Sequence, residues 1–178
     1  MSKIPLIDPA TAQPPAADLL AKVQRSVGAV PNMTRAMANS PALLNGYLQL
    51  SAALGAGVLP AATRERIALA VAQGNGCSYC LSAHSYVAER VNHLEAEEIA
   101  AARKAHADDP KTAAILSLAA VVNDNRGDVP TGVLDSARGA GVTDEEIAET
   151  IGHVAFNVLT NYFNKAVDTD VDFPVVTP

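Results

Sequence analysis

The stretch PAATRERIALAVAQGNGCSYCLSAHSYVAERV, residues 60–91, decides the fold. A proline opens it. The residues after Arg66 are apolar nearly all round as far as Gln73, then GNG interrupts, and a second segment runs from Cys77 to Val91. An apolar run without strand-like alternation, opened by Pro and closed by Gly, reads as a helix buried on most of its sides. A second helix directly after the break makes an antiparallel hairpin with its turn centred near residue 75. Glu65 lies ten residues before that centre and His84 nine after it, so they should face each other at similar height.

The flanks give the same class. LLAKVQRSVG reads as a short helix ended near Gly28, and VPNMTRAMANSP as another between Pro31 and Pro41. Ser40 is a good N-cap and Pro41 a good first helical residue for PALLNGYLQLSAAL, which Gly55 and Gly57 stop. LEAEEIAAARKA carries its acids early and its bases late, as the helix dipole prefers. PKTAAILSLAAVVND ends before Arg126 and Gly127, VPTGVLDSARGAG holds a short helix, and Thr143 with Glu146 opens the last helix with a capping-box pattern. Pro5, Pro9, Pro14 and Pro15 keep residues 1–15 an extended arm. The expectation is all-α: an arm over 1–15, an N-terminal helical extension over 16–58, a helical core carrying CxxC over 59–167, and an extended tail over 168–178. No internal repeat is visible.

A chain of 178 residues can bury a core without disulfide staples. Its formal charge of −6 is scattered, and no Lys/Arg stripe is interleaved with aromatics, which argues against nucleic acid as a partner. The first residues lack the apolar segment of a signal peptide, and the longest apolar run, 113–122, is too short to span a bilayer. A cytoplasmic protein is expected. In that compartment thiols stay reduced, and a CxxC is more often catalytic or metal-binding than structural. The apolar runs at 67–72 and 113–122, with extended arms at both ends, suggest a homo-oligomer.

The chain's only two cysteines, Cys77 and Cys80, stand at the start of the hairpin's second helix, with His84 a turn beyond Cys80 and able to reach its sulfur. Cys77 should lie nearer solvent and the GNG turn. A helix N-terminus and a neighbouring imidazole both favour the thiolate. A carboxylate on the facing helix would orient that imidazole. The candidate relay is Glu65, His84 and Cys80, with Cys77 poised to close a disulfide. Other readings stay open. Cys77, Cys80 and His84 are zinc-competent, with Glu65 or His93 as a fourth ligand. The thiols could be inert core residues, and Glu65 a plain dipole partner. His93, His106 and His153 read as surface or core residues, and Arg64 and Arg66 as surface charges.

The pattern Glu, eleven residues, CxxC, three residues, His, here E-RIALAVAQGNG-CSYC-LSA-H from Glu65 to His84, resembles the alkyl hydroperoxidase D-like branch of the carboxymuconolactone decarboxylase family. PNMTRAMANSPALL and GVTDEEIAETIGHVAFNVLTNYFNKAVDTDVDF resemble the flanks of its peroxidase-related members. The resemblance implies an all-helical fold, obligate trimers or hexamers, and thiol-dependent hydroperoxide reduction with no haem, flavin or metal cofactor. It makes Cys80 the attacking thiol, Cys77 its resolving partner, and His84 and Glu65 the proton relay, with an external dithiol or disulfide-reductant protein as partner. Where the best-studied enzymes of this type have a second histidine, this chain has Tyr79, which is no base near neutral pH. Members without the cysteines decarboxylate a lactone; the CxxC argues against that reaction. The expected function is a thiol peroxidase or disulfide oxidoreductase. The alternatives are a non-catalytic redox-sensing or zinc-binding helical module, and a related enzyme with a non-peroxide substrate.

Overall fold

A computed structural model describes all residues 1–178 as nine helices and no strand. They are α1 (Ala16–Val27), α2 (Asn32–Met37), α3 (Pro41–Gly55), α4 (Ala61–Gly74), α5 (Ser78–Arg90), α6 (Ala96–Ala102), α7 (Pro110–Asp124), α8 (Thr131–Gly139) and α9 (Asp144–Val167). The boundaries follow local chemistry. Gly28 closes α1 at φ +81°, a left-handed conformation that costs glycine little. Ser40 Oγ accepts from Leu43 N at 3.3 Å, and Asp109 Oδ2 accepts from Thr112 N at 2.8 Å, so each caps the helix that a proline then begins. Thr143 and Glu146 exchange the reciprocal bonds of a capping box. Gly55, expected to stop α3, is instead its last residue.

α4 is the central helix, packed against α5, α6, α7 and α9. All six residues from Ile67 to Ala72 are buried. One side of α4 joins α7, α8 and α9 around Ile67, Val71, Leu116, Leu118 and Val154. Its other side joins α5 and α6 around Leu69, Ala72, Leu81 and Leu94, and both cysteines belong to that cluster. A third cluster, on Leu20, Val23, Met37 and Leu44, holds α1, α2 and α3 together. The apolar run of 67–72 is thus covered by the chain's own helices, and so is most of 113–122, so neither supplies a face for a second copy. The exposed apolar side chains lie elsewhere, among them Leu50 on α3, Val58 after it and Ile151 on α9.

The chain ends are extended but tied down. Ser2 N and Oγ donate to Asp170 Oδ2, and Lys3 N donates to Val167 O at 2.7 Å. Asn32 N donates to Asp172 Oδ2 at 2.8 Å, and Val176 N to Ser82 Oγ at 2.9 Å. The tail therefore lies along α5, with Val171, Phe173 and Val176 packed on the cysteine cluster. Glu149 of α9 clasps the α3–α4 loop by accepting from Val58 N and Leu59 N, and a side chain at Gly57 would overlap its carboxylate.

Candidate active site

The site is built at the α4–α5 turn. Gly76 takes φ +60°, and Cys77 N then donates to Ala72 O at 3.0 Å. This sets Cys77 as the N-cap of α5, where its sulfur accepts from Cys80 N at 3.4 Å. Cys80 is one turn along on the same side. The two sulfurs are 2.8 Å apart and both thiols are free. A disulfide needs about 2.05 Å, so closure asks for a movement of under ~1 Å.

Both cysteines are buried, Cys77 at 1% and Cys80 at 3% exposure. The expectation that Cys77 sits nearer solvent is therefore corrected. The N-cap position is covered from outside by tertiary structure that no local pattern announces.

Glu65 and His84 meet across the hairpin, Oε1 to Nδ1 at 2.6 Å, with side chains 12% and 27% exposed. Burial opposes a charge on this imidazole, but the carboxylate beside it outweighs burial and raises its pKa. With Nδ1 engaged, Nε2 is the nitrogen left for proton exchange. No hydrogen bond joins His84 to either sulfur. Its charge acts instead on Cys77, across the cluster.

The sulfur pair shares one proton unequally. The hydrogen bond from Cys80 brings the Cys77 thiol down to about 7, against the opposing effect of burial; the Cys80 backbone N–H, His84 and Lys165 add to the lowering. Cys80 is pushed up, first by its bond to Cys77 and then by burial. Of the two thiols, Cys77 is thus the more acidic and Cys80 the less. Lys165 of α9 contributes from the turn, where its Nζ donates to Asn75 O at 2.5 Å.

Tyr79, in the place of the family's second histidine, is a structural tie. Its hydroxyl accepts from Met33 N at 3.0 Å and donates to Asp172 Oδ1 at 2.9 Å, linking α2 to the tail. Burial, chiefly, raises its pKa, so it stays a protonated donor. Its ring packs edge-on against Phe173, centroids 5.9 Å apart.

No three His, Cys, Asp or Glu side chains converge as a metal ion requires, so the zinc reading has no ligand set. His93 and His106 are exposed, while His153 is buried on α9. Arg66 is more than a surface charge: it is only 16% exposed and paired to Glu98 at 2.6 Å.

Sequence reasoning missed the contribution of α9. Asn75 Nδ2 donates to Asn123 Oδ1 at 2.9 Å and to Asn161 Oδ1 at 3.0 Å, and Asn164 Nδ2 donates to Cys80 Sγ at 3.3 Å. The inner stripe of α9 runs Ile147, Thr150, Val154, Asn157, Asn161, Asn164, all buried. That spacing of three and four is the usual core-facing stripe. Its change from apolar to amide over the last turns was the available signal.

Comparison with known proteins agrees with this architecture. Residues 41–124 match the model of the carboxymuconolactone decarboxylase family. No curated protein sequence matches the chain significantly. Among solved structures, the chain is similar to the alkylhydroperoxidase AhpD core of an uncharacterized peroxidase-related protein from Ralstonia eutropha JMP134. The TM-score is 0.84 at 24% identity, over 96% of this chain and 92% of the other. A peroxidase-related protein from Silicibacter sp. TM1040 gives a TM-score of 0.82 at 22% identity, covering 95% and 91%. A cysteine variant of the debrominase Bmp8, in complex with 2,3,4-tribromopyrrole, gives 0.78 at 21% identity, covering 97% and 94%. The chain therefore has the all-helical fold of the alkylhydroperoxidase AhpD core, and its segment 41–124 is similar to the carboxymuconolactone decarboxylase family.

Proposed function

We propose that this chain is a thiol peroxidase that reduces hydroperoxides through Cys77 and Cys80, with His84 and Glu65 as the proton relay. The observation that carries the reading is the pair of buried, reduced sulfurs 2.8 Å apart beside a carboxylate-held imidazole. The family-model match and the shared fold support peroxidase-related chemistry at the coarse level.

The reactive form has one proton and one negative charge on the sulfur pair, with a second proton on the His84 imidazolium. As Cys80 attacks, the shared proton passes to Cys77, and the Cys80 sulfur takes the terminal peroxide oxygen. The S–O bond forms, the O–O bond breaks, and the departing alkoxide leaves as an alcohol with the proton of the imidazolium. Cys80 is then a sulfenic acid. Cys77 gives up its proton to the relay and attacks the Cys80 sulfur. The S–S bond forms, and hydroxide leaves as water with that proton. An external dithiol reopens the disulfide by exchange. The net reaction is hydroperoxide plus dithiol to alcohol, water and disulfide.

A second reading keeps the dithiol and changes the electrophile, since the debrominase Bmp8 has the same fold. A reductant-coupled assay separates the two. Run with hydrogen peroxide, cumene hydroperoxide and small organic hydroperoxides, it should show turnover that depends on both cysteines. Turnover of a brominated pyrrole, with none of any hydroperoxide, would move the assignment to the second reading.

A further inference from the structure

An amide buried in an apolar core is costly unless its polar atoms find partners. α9 nevertheless buries Asn161 at 0% and Asn164 at 3% exposure, directly over the sulfur pair. Asn164 Nδ2 donates to Cys80 Sγ at 3.3 Å. Asn75 Nδ2 holds the oxygen end of Asn161 at 3.0 Å, and Asn75 is itself fixed by Asn123 Oδ1. With its oxygen taken, the Asn161 amide presents its N–H group to the remaining space, and no protein acceptor meets that group. The Asn164 oxygen is likewise without a partner.

We propose that Asn164 and Asn161 form an amide cradle for negative charge on the Cys80 sulfur: Asn164 acts as a catalytic residue touching the reacting atom, and Asn161, set by Asn75, as a positioning residue beside it. The proposal rests on the peroxidase reading for its role in turnover, but not for the existence of the cradle. The need for it follows from the resting state. The N-cap, His84 and Lys165 all favour charge on Cys77. For Cys80 to attack, the charge must cross to a sulfur that its bond to Cys77 and burial hold protonated. The Asn164 amide, whose Nδ2 donates to the Cys80 sulfur, pulls Cys80 the other way, and the unpartnered Asn161 N–H group beside it adds to that pull. N–H donors fixed before the reaction stabilise developing charge without reorganising during it. The remaining titratable groups around this sulfur are Cys77 and His84 from the α5 side, Lys165 on α9, Tyr79, and the half-buried Tyr47 of α3, whose own pKa is raised to about 12 by desolvation and the Cys80 charge.

The test titrates Cys80 alone. In a Cys77→Ser background, the ultraviolet absorbance of the Cys80 thiolate is followed against pH, with the double serine variant subtracting the tyrosines. Asn164→Leu, and separately Asn164→Asp and Asn161→Leu, should each raise the Cys80 pKa by about one to two units. The single-turnover rate with hydroperoxide at pH 7 should fall about 10- to 100-fold in parallel, as the thiolate fraction falls. Circular dichroism identifies the variants that fold, and three substitutions at two positions guard against the loss of any one. If the folded variants titrate as their parent does, the cradle is wrong, whatever the peroxide rates. If the pKa rises while no protein, wild type included, consumes hydroperoxide, the cradle stands and the peroxidase reading falls.

Discussion

Replacing Glu65 by Gln keeps the side chain's shape and removes only its charge. The carboxylate lies 2.6 Å from His84 Nδ1, with both groups less than a third exposed. A hydrogen bond between charged groups of this kind contributes about 1.5–3 kcal/mol. Allowing for partial solvent access brings the expected loss to the low end, about 1.4 kcal/mol, or about one pKa unit at His84. The sign of the accompanying stability change is fixed. The folded His84 pKa is raised above its ordinary 6.5, so the pair's contribution is full below 6.5 and fades as pH rises through the folded value. The variant's deficit in denaturant unfolding should therefore be larger at mildly acidic pH than at alkaline pH. Nuclear magnetic resonance titration of the His84 ring should show the pKa fall by about one unit, and single-turnover peroxide reduction near neutral pH should slow about tenfold. An unchanged His84 pKa in a folded variant would return Glu65 to the role of a helix-dipole partner.

Tyr79→Phe should cost about 2 kcal/mol, because it leaves the Met33 N–H and the Asp172 carboxylate without their shared partner; scanning calorimetry should read a Tm lower by about 4–8 °C, and an unchanged Tm would contradict the tie between α2 and the tail. Thiolate absorbance of the wild-type protein should rise with a midpoint near pH 7, since the first proton lost comes from Cys77. Cys77 is depressed on folding, so its contribution to stability is present above its ordinary pKa of 9.0 and disappears as pH falls through about 7; a midpoint near 9 would contradict the shared-proton arrangement. We also expect a homo-oligomer: residues 36–63 carry no charge, and this stretch with α9 leaves Leu50, Val58 and Ile151 exposed. Light scattering at micromolar concentration that returns one chain's 18.4 kDa would refute it.

The hairpin was legible because its two helices advance by the same rise per residue, so counting outward from the GNG turn places Glu65 opposite His84. The caps at Ser40 and Thr143 were legible because a cap is a local event, complete within four residues. What the sequence hid was long-range. The tail residues Val171, Phe173 and Val176 that pack on the cysteine cluster lie some ninety positions beyond CxxC, so a thiol expected near solvent is buried. Tyr79 looked like a lost base because Met33 and Asp172, its two partners, are distant in the chain. The apolar runs at 67–72 and 113–122 suggested surface for a second copy, yet they meet one another inside a single chain, α4 against α7. The amides of α9 obeyed the core spacing of their helix; only the position of Cys80 opposite Asn164 gives that polarity a purpose.

The central claim is that the two buried thiols reduce a hydroperoxide, with Cys80 attacking and Cys77 closing. Single-turnover titration of the reduced protein with hydroperoxide, read by mass spectrometry with a sulfenic-acid trap, tests it directly. Wild type should consume one equivalent and end as the Cys77–Cys80 disulfide. Cys77→Ser should consume one equivalent and stop with the trap on Cys80, and Cys80→Ser should not react. Sulfenic acid on Cys77 in Cys80→Ser, with Cys80 left reduced in Cys77→Ser, would reverse the two roles; a wild-type protein that keeps both thiols reduced in the presence of hydroperoxide would contradict the claim itself.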